Sequence, residues 1–241
     1  MQLINRLEQL TDLQQALAKD QIIAIDTEFI REKTFIPVLS LIQIAWHNKI
    51  FLLDCLSLPK GQIGQLLNQI ARADYCKIVH SFGQDLDVIY QNFGLIFENI
   101  FDTQIASAFC GYGSSISYQK LVKLICRQNL DKNAKLADWL KRPLTADLIN
   151  YAANDVLYLR QIYLSLNDEL ARLKRQEWFI EEINWHLDKA KENLRLGYNW
   201  QKLLGGSDDL EFAKKLKIIC HWREQEALAQ DKPRKKIIED D

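Results

Sequence analysis

The chain has 241 residues, 48% of them hydrophobic and 26% charged, with a net charge of −1. That length suits one domain of ordinary size with a smaller appendage, and the balance suits a globular protein able to bury a core. A charge so close to zero excludes a global basic field, so any nucleic acid must be held by local patches.

The first twenty residues, MQLINRLEQLTDLQQALAKD, mix apolar with charged positions and lack the apolar core of a signal peptide. No later run is long enough to span a bilayer, so a cytoplasmic protein without a membrane partner is expected. Five scattered cysteines, at 55, 76, 110, 126 and 220, form no Cys-x-x-Cys pair. Reduced, mostly buried thiols are expected, not disulfides or a zinc site. Thr11 and Gln14 have capping-box spacing, which predicts a helix from about residue 12. IIAID, VLSLIQIAW and KIFLLD follow as short apolar runs with β-branched residues, read as neighbouring strands, with Pro37 in the turn before the second. IGQLLNQIA predicts a helix and KIVH a buried strand. Ser81 with Gln84 is a second capping-box spacing, opening the helix GQDLDVIYQNF that Gly94 can end. FDTQIASAF reads as a short strand, alone or passing into a helix, and SYQKLVKLICRQN as a helix. After Thr145, an apolar stripe of Leu148, Ala152, Val156, Leu159, Tyr163, Leu166 and Leu170 predicts one long helix. From Gln176 the pattern is helical, with four of the six tryptophans, and GGSDD at 205–209 is its expected break. Strands first, then strands mixed with helices, predict an α/β domain ending near residue 175.

Within AIDTEF, Asp26 and Glu28 share one face of a strand while Thr27 and Phe29 take the other. Two carboxylates 4 Å apart repel by about 4 kcal/mol at an effective dielectric near 20. An edge strand with a solvated face is the plain alternative. Asp85 lies in the first turns of its helix, where an acid usually partners the helix dipole. Tyr151 and Asp155 are one turn apart and so neighbours on a helix face. In KLADWLKRP, Lys135, Lys141 and Arg142 make a local patch for phosphate, or a solvated helix face. KPRKK at 232–236 carries the same ambiguity.

Taken in order, DTE at 26–28, HSFGQD at 80–85 and YAAND at 151–155 resemble the tyrosine-containing branch of the DEDD exonuclease superfamily. SLIQIAW, KIVHSFGQDLDVIY, FDTQIAS and LDKNAKLADWLKRPLTADLINYAANDVLYL resemble the blocks of the ribonuclease D family, over roughly residues 1–175. LKIICHWREQEALAQDKPRKKIIEDD resembles the opening of that family's first HRDC domain, a helical RNA-binding module. The resemblance implies an α/β, ribonuclease H-like 3′-5′ exonuclease domain over 1–175, a mixed central sheet flanked by helices. It implies a helical, incomplete HRDC-like segment over 176–241. It further implies that Asp26, Glu28, Asp85 and Asp155 hold two divalent cations, Mg²⁺ or Mn²⁺, with Asp26 bridging both. Tyr151 and Glu28 would orient the attacking water, and Thr27, Phe29, His80 and Arg142 become candidate substrate contacts. The implied activity is release of nucleoside 5′-monophosphates from RNA 3′ ends, such as those of tRNA precursors, with no nucleotide cofactor. A 3′-5′ DNA exonuclease with the same site, and an inactive nucleic-acid-binding module, are the alternatives. The presence of all four acids and the tyrosine disfavours the last. With only about one helix of the HRDC-like module after GGSDD, the chain from about residue 207 is expected to pack poorly on itself, leaning on the exonuclease domain or staying mobile.

Overall fold

The structure, a computed structural model, describes residues 1–17, 21–130, 137–196 and 200–240. Strands β1 (Gln2–Ile4), β2 (Ile22–Ile30), β3 (Val38–Trp46), β4 (Lys49–Asp54), β5 (Cys76–Val79) and β6 (Ile100–Asp102) form one sheet in the order β1-β4-β3-β2-β5-β6. The antiparallel run β2-β3-β4 sits at its centre, and β1, β5 and β6 add in parallel. Tight turns can join antiparallel strands, whereas the parallel ones need crossovers, here supplied by helices. VLSLIQIAW is buried continuously from Leu39 to Ile44, as a central strand covered on both faces must be.

The helices are α1 (Leu7–Leu17), α2 (Lys60–Ala71), α3 (Gly83–Phe93), α4 (Thr103–Phe109), α5 (Tyr118–Cys126), α6 (Ala146–Leu157), α7 (Leu159–Leu173), α8 (Gln176–Leu196) and α9 (Leu210–Gln230). Ile42, Ile44 and Leu53 join the main core with side chains of α1, α2 and α3. The alternate strand positions, Leu41 and Leu52, form a second cluster with Trp139, Leu144 and Ala152 of α6.

Three expected helix boundaries differ. Helix α1 starts at Leu7, because the Gln9 side chain accepts the amides of Asn5 and Arg6 at 3.1 and 3.2 Å. Thr11 lies inside it, its hydroxyl bonded back to the Leu7 carbonyl. Helix α3 starts after Phe82, whose amide donates to Asp102 at 2.9 Å, while Ser81 is in the turn at φ 65° instead of capping. The stripe after Thr145 belongs to two helices, α6 and α7, broken at Tyr158. There the Tyr118 hydroxyl donates to the Asn154 carbonyl at 2.9 Å and accepts from the Tyr158 amide at 3.2 Å. Those two groups would bond each other in a continuous helix, so the hydroxyl is a wedge in the ladder. A wedge from another helix leaves no trace in the periodicity.

Helix α8 buries Phe179, Ile183 and Leu187 in the main core, which therefore runs past residue 175. Helix α9 buries only Cys220, Arg223, Glu224 and Ala227, leaving Leu210 and Ile218 77% and 69% exposed. Its far end leans on the loop after β2: Asp231 accepts the Phe35 and Ile36 amides at 3.0 and 3.3 Å, and Arg234 lies 4.8 Å from the Phe35 ring centre. All five cysteines are free, but only Cys220 is fully buried. No described helix is long and apolar enough to cross a membrane.

Candidate active site

Strand β2 pairs with β5 only over Ile22–Ala24, yet runs beside β3 as far as Ile30. Beyond Val79 the chain turns at Ser81 into α3, so the second half of β2 outruns its neighbour. A cleft opens along that free edge, at the carboxyl ends of the parallel strands, where α/β sheets place their ligands. It has a volume of about 780 Å³, and its walls include Asp26, Thr27, Glu28, Phe29, Asp85, Tyr151 and Asp155.

Asp26 and Glu28 stand opposite Gln43 and Leu41 of β3, on the face covered by α6. Thr145 caps α6, its hydroxyl accepting the Leu148 amide at 3.3 Å, and the helix carries Tyr151 and Asp155 to the same place. Carboxylate oxygens of Asp26, Glu28 and Asp155 lie within 4.8 Å of one another. Asp85 arrives from α3. Thr27, on the other side of β2, donates its hydroxyl to the Asp85 carboxylate, so the alternation of the strand ties the fourth acid in.

Burial raises Asp26 well above the carboxylate range, and the negative charges of Asp85, Asp155 and Glu28 add to it. Burial, then Asp155 and Asp85, push Glu28 up to about 8. Asp85 rises to about 6 by burial, although the Thr27 hydroxyl and its own amide pull the other way. Burial and the same acids raise the Tyr151 phenol, which therefore stays protonated at neutral pH. These acids cannot all ionise side by side without a cation. An all-oxygen set of this kind fits a hard divalent ion such as Mg²⁺ or Mn²⁺.

Two expected substrate contacts do not reach the cleft. Arg142 bonds Asp54 through Nε and Nη2 at 2.9 and 2.8 Å, the Ser40 carbonyl at 3.1 Å and the Trp139 carbonyl at 2.8 Å. Burial alone would raise Asp54, but the hydrogen bonds from Arg142 and Ser57 outweigh it and hold the carboxyl below its usual range. Arg142 is thus committed to the fold. His80 is bonded at both ring nitrogens, to the Thr103 hydroxyl at 2.9 Å and the Ile116 carbonyl at 3.1 Å, and burial lowers its pKa. Lys141 is exposed away from the cleft walls, and Lys135 lies outside the described residues.

The cleft also includes residues that the sequence analysis did not read as part of a site: Ser81, Gly83, Gln84, Arg31 and Trp139. The Trp139 ring lies 6.1 Å from that of Tyr151. Its backbone is held by Arg142 and by the Ser40 hydroxyl, and Ser40 is the extra residue where the β2–β3 register shifts between Glu28 and Phe29. Arg31 pairs with Asp87 at the rim and lies 5.8 Å from the Phe29 ring centre.

Residues 1–171 match the family model of the 3′-5′ exonuclease. The chain is 37% identical to a ribonuclease D of Bartonella henselae over 236 residues, 97% of this chain and 58% of that protein. It is 33% identical to a ribonuclease D of Granulibacter bethesdensis over 241 residues, 99% of this chain and 60% of that one. The crystal structure of Escherichia coli RNase D, an exoribonuclease involved in structured RNA processing, matches with a TM-score of 0.87 at 28% identity. That match covers 99% of this chain and 64% of the other. The chain spans about three fifths of the length of these relatives. Sequence and fold agree on one placement: the chain belongs to the 3′-5′ exonuclease family, and the members it is similar to are ribonucleases D.

Proposed function

We propose that the protein is a divalent-metal-dependent 3′-5′ exoribonuclease of ribonuclease D type. Its substrates in this reading are the 3′ ends of structured RNA such as tRNA precursors, shortened by one nucleoside 5′-monophosphate at a time. The observation that carries the reading is the convergence of Asp26, Glu28 and Asp155 oxygens within 4.8 Å, in a cleft that makes their shared ionisation unfavourable. Two Mg²⁺ or Mn²⁺ ions, when bound, supply an activated water and stabilise the leaving oxygen of a phosphodiester.

The chain's own residues divide the remaining work. Asp26, grouped with Glu28 and Asp155 and subject to the charge of the Thr27-tethered Asp85, would hold the ions together with these three acids. Tyr151, protonated and one turn from Asp155, holds the attacking water by hydrogen bonding, together with Glu28. Phe29, half-buried against the core but part of the cleft wall, offers a ring on which the terminal base can stack without regard to its identity. Preference for RNA over DNA is supported by the similarity to ribonucleases D. In the same reading, the catalytic unit expected over 1–175 extends to include α8, whose Phe179, Ile183 and Leu187 lie in its core, and the HRDC-like part is the later helical segment, adding contacts to the body of the RNA.

The test is incubation with 5′-labelled RNA and DNA oligonucleotides, with Mg²⁺, with Mn²⁺ and with EDTA. A ladder growing from the 3′ end, stronger on RNA and abolished by EDTA, is expected. Cleavage that persists in EDTA or starts at the 5′ end would remove the reading.

A further inference from the structure

Beneath the acids lies a buried amide with nothing to bond. Gln43 of β3 is 0% exposed, and neither its Oε1 nor its Nε2 has a hydrogen-bond partner among the described residues. Buried side-chain amides are ordinarily satisfied, so one left open in both its atoms calls for a partner. Its position narrows the choice. Gln43 is the residue directly opposite Asp26 in the antiparallel register of β2 and β3. Directly opposed side chains project from the same face, with Cβ atoms about 4.5–5.5 Å apart. On its other flank it faces Leu52 of β4, which is apolar and belongs to the cluster under α6. Around it, therefore, the neighbouring strand group able to take a hydrogen bond from a side-chain N–H is the Asp26 carboxylate.

We infer that Gln43 is a positioning residue for Asp26: its amide N–H, unbonded in the metal-free arrangement, takes the Asp26 carboxylate when a cation is bound and fixes the orientation that holds it. The inference rests on the exonuclease reading, in which Asp26 is a ligand. A carboxylate that serves a cation needs its free lone pairs held, and hydrogen-bond partners of metal ligands set the ligand's direction. In the absence of the cation the same amide is a cost to the fold, because an apolar side chain of the same shape would fill the place with no unmade hydrogen bond. The pairing of cost and use gives the residue a signature that an ordinary core amide lacks.

Gln43→Met keeps the length and unbranched shape of the side chain and removes both polar atoms. The full chain is compared with the variant in two measurements that need no RNA: thermal melting in EDTA, and calorimetric titration with Mn²⁺. The variant is expected to melt in EDTA at the same temperature or higher, and to bind Mn²⁺ about 10-fold more weakly. Earlier melting in EDTA, or failure to fold, with or without a change in Mn²⁺ binding, would make Gln43 a structural amide and overturn the inference. Wild-type Mn²⁺ affinity in the variant would overturn it as well. A wild-type chain that binds no Mn²⁺ would bring down the exonuclease reading along with it, whereas the variant's results alone bear only on Gln43.

Discussion

Asp26 and Asp54 end two runs that look alike on paper, IIAID and KIFLLD, and both stand on the α6 face of the sheet. Their surroundings differ in sign. Asp54 is gripped by Arg142 through two nitrogens and by the Ser57 hydroxyl, and its carboxyl is held below the usual range. The charges acting on Asp26 are those of Asp85, Asp155 and Glu28, all negative, and its carboxyl is driven up. A buried acid beside a fitted cation is part of the scaffold. A buried acid among acids has been placed for something that arrives later. The difference separates fold from function within one layer of one sheet, and it can be broken from either end.

The largest effect is expected at the acids. Asp26→Asn or Asp155→Asn should abolish cleavage, while in EDTA the variant melts at the wild-type temperature or above it, since one like charge has gone. A large loss of stability in EDTA would make Asp26 the same kind of residue as Asp54, and the contrast would disappear.

Arg142→Ala attacks the other end. It leaves the Asp54 carboxylate, with a side chain only 5% exposed, facing no guanidinium. Breaking a buried pair on one side costs about 3–5 kcal/mol, which urea unfolding would register at neutral pH. Metal affinity of the folded protein should change little, because Arg142 touches none of the acids. A stable variant with impaired RNA binding would return Arg142 to the list of substrate contacts.

That correction shows what the sequence could carry. Period-two and one-turn spacings put Asp26 with Glu28, and Tyr151 with Asp155, on shared faces, but joining them with Asp85 into one candidate site rested on the resemblance to the tyrosine-containing exonucleases. The strands were legible from their apolar runs. Arg142 was misread because its partner, Asp54, lies 88 residues away and no local pattern links them. His80 has the same cause, its ring held by Thr103 and Ile116 from beyond the next strand. The break at Tyr158 and the start of α3 also depend on distant groups, the Tyr118 hydroxyl and the Asp102 carboxylate. Trp139 was read for the charges around it, and its place in the cleft wall follows from a bulge at Ser40 that alternation does not announce.

A smaller effect is expected at Tyr151, which belongs to the acidic region but carries no charge. Tyr151→Phe keeps the ring beside Trp139 and removes the hydroxyl. Single-turnover cleavage should slow by about 10²-fold, with folding intact and RNA binding in Ca²⁺ near normal. Wild-type turnover in this variant would leave the hydroxyl without a role in placing water. Loss of RNA binding would make it a substrate contact.

The smallest effect, per unit of pH, is the most direct comparison of the two regions, because they should respond to protons in opposite senses. In metal-free buffer the folded Glu28 holds its proton up to about 8, whereas the unfolded chain releases it near the ordinary value of 4.5. Across that window the folded state carries more protons, so stability falls as pH rises, with a slope no steeper than about 1.4 kcal/mol per unit for one proton. Asp85, raised to about 6, adds to the fall in the lower part of the window. Asp54 runs the other way: its lowered carboxyl contributes stability that is complete above its ordinary 3.8 and lost as acid protonates it. The metal-free protein should therefore be most stable near pH 4 to 5, between the two windows, as read by melting temperature in EDTA. Mg²⁺ should flatten the alkaline decline, since a bound cation takes the place of the shared protons. Glu28→Gln should flatten it without metal, and Asp54→Asn should remove the acid limb alone. A melting temperature that climbs steadily from about pH 5 to about pH 8 in EDTA would mean that the acids of the cleft are already matched by positive charge, and the two regions would differ in position only.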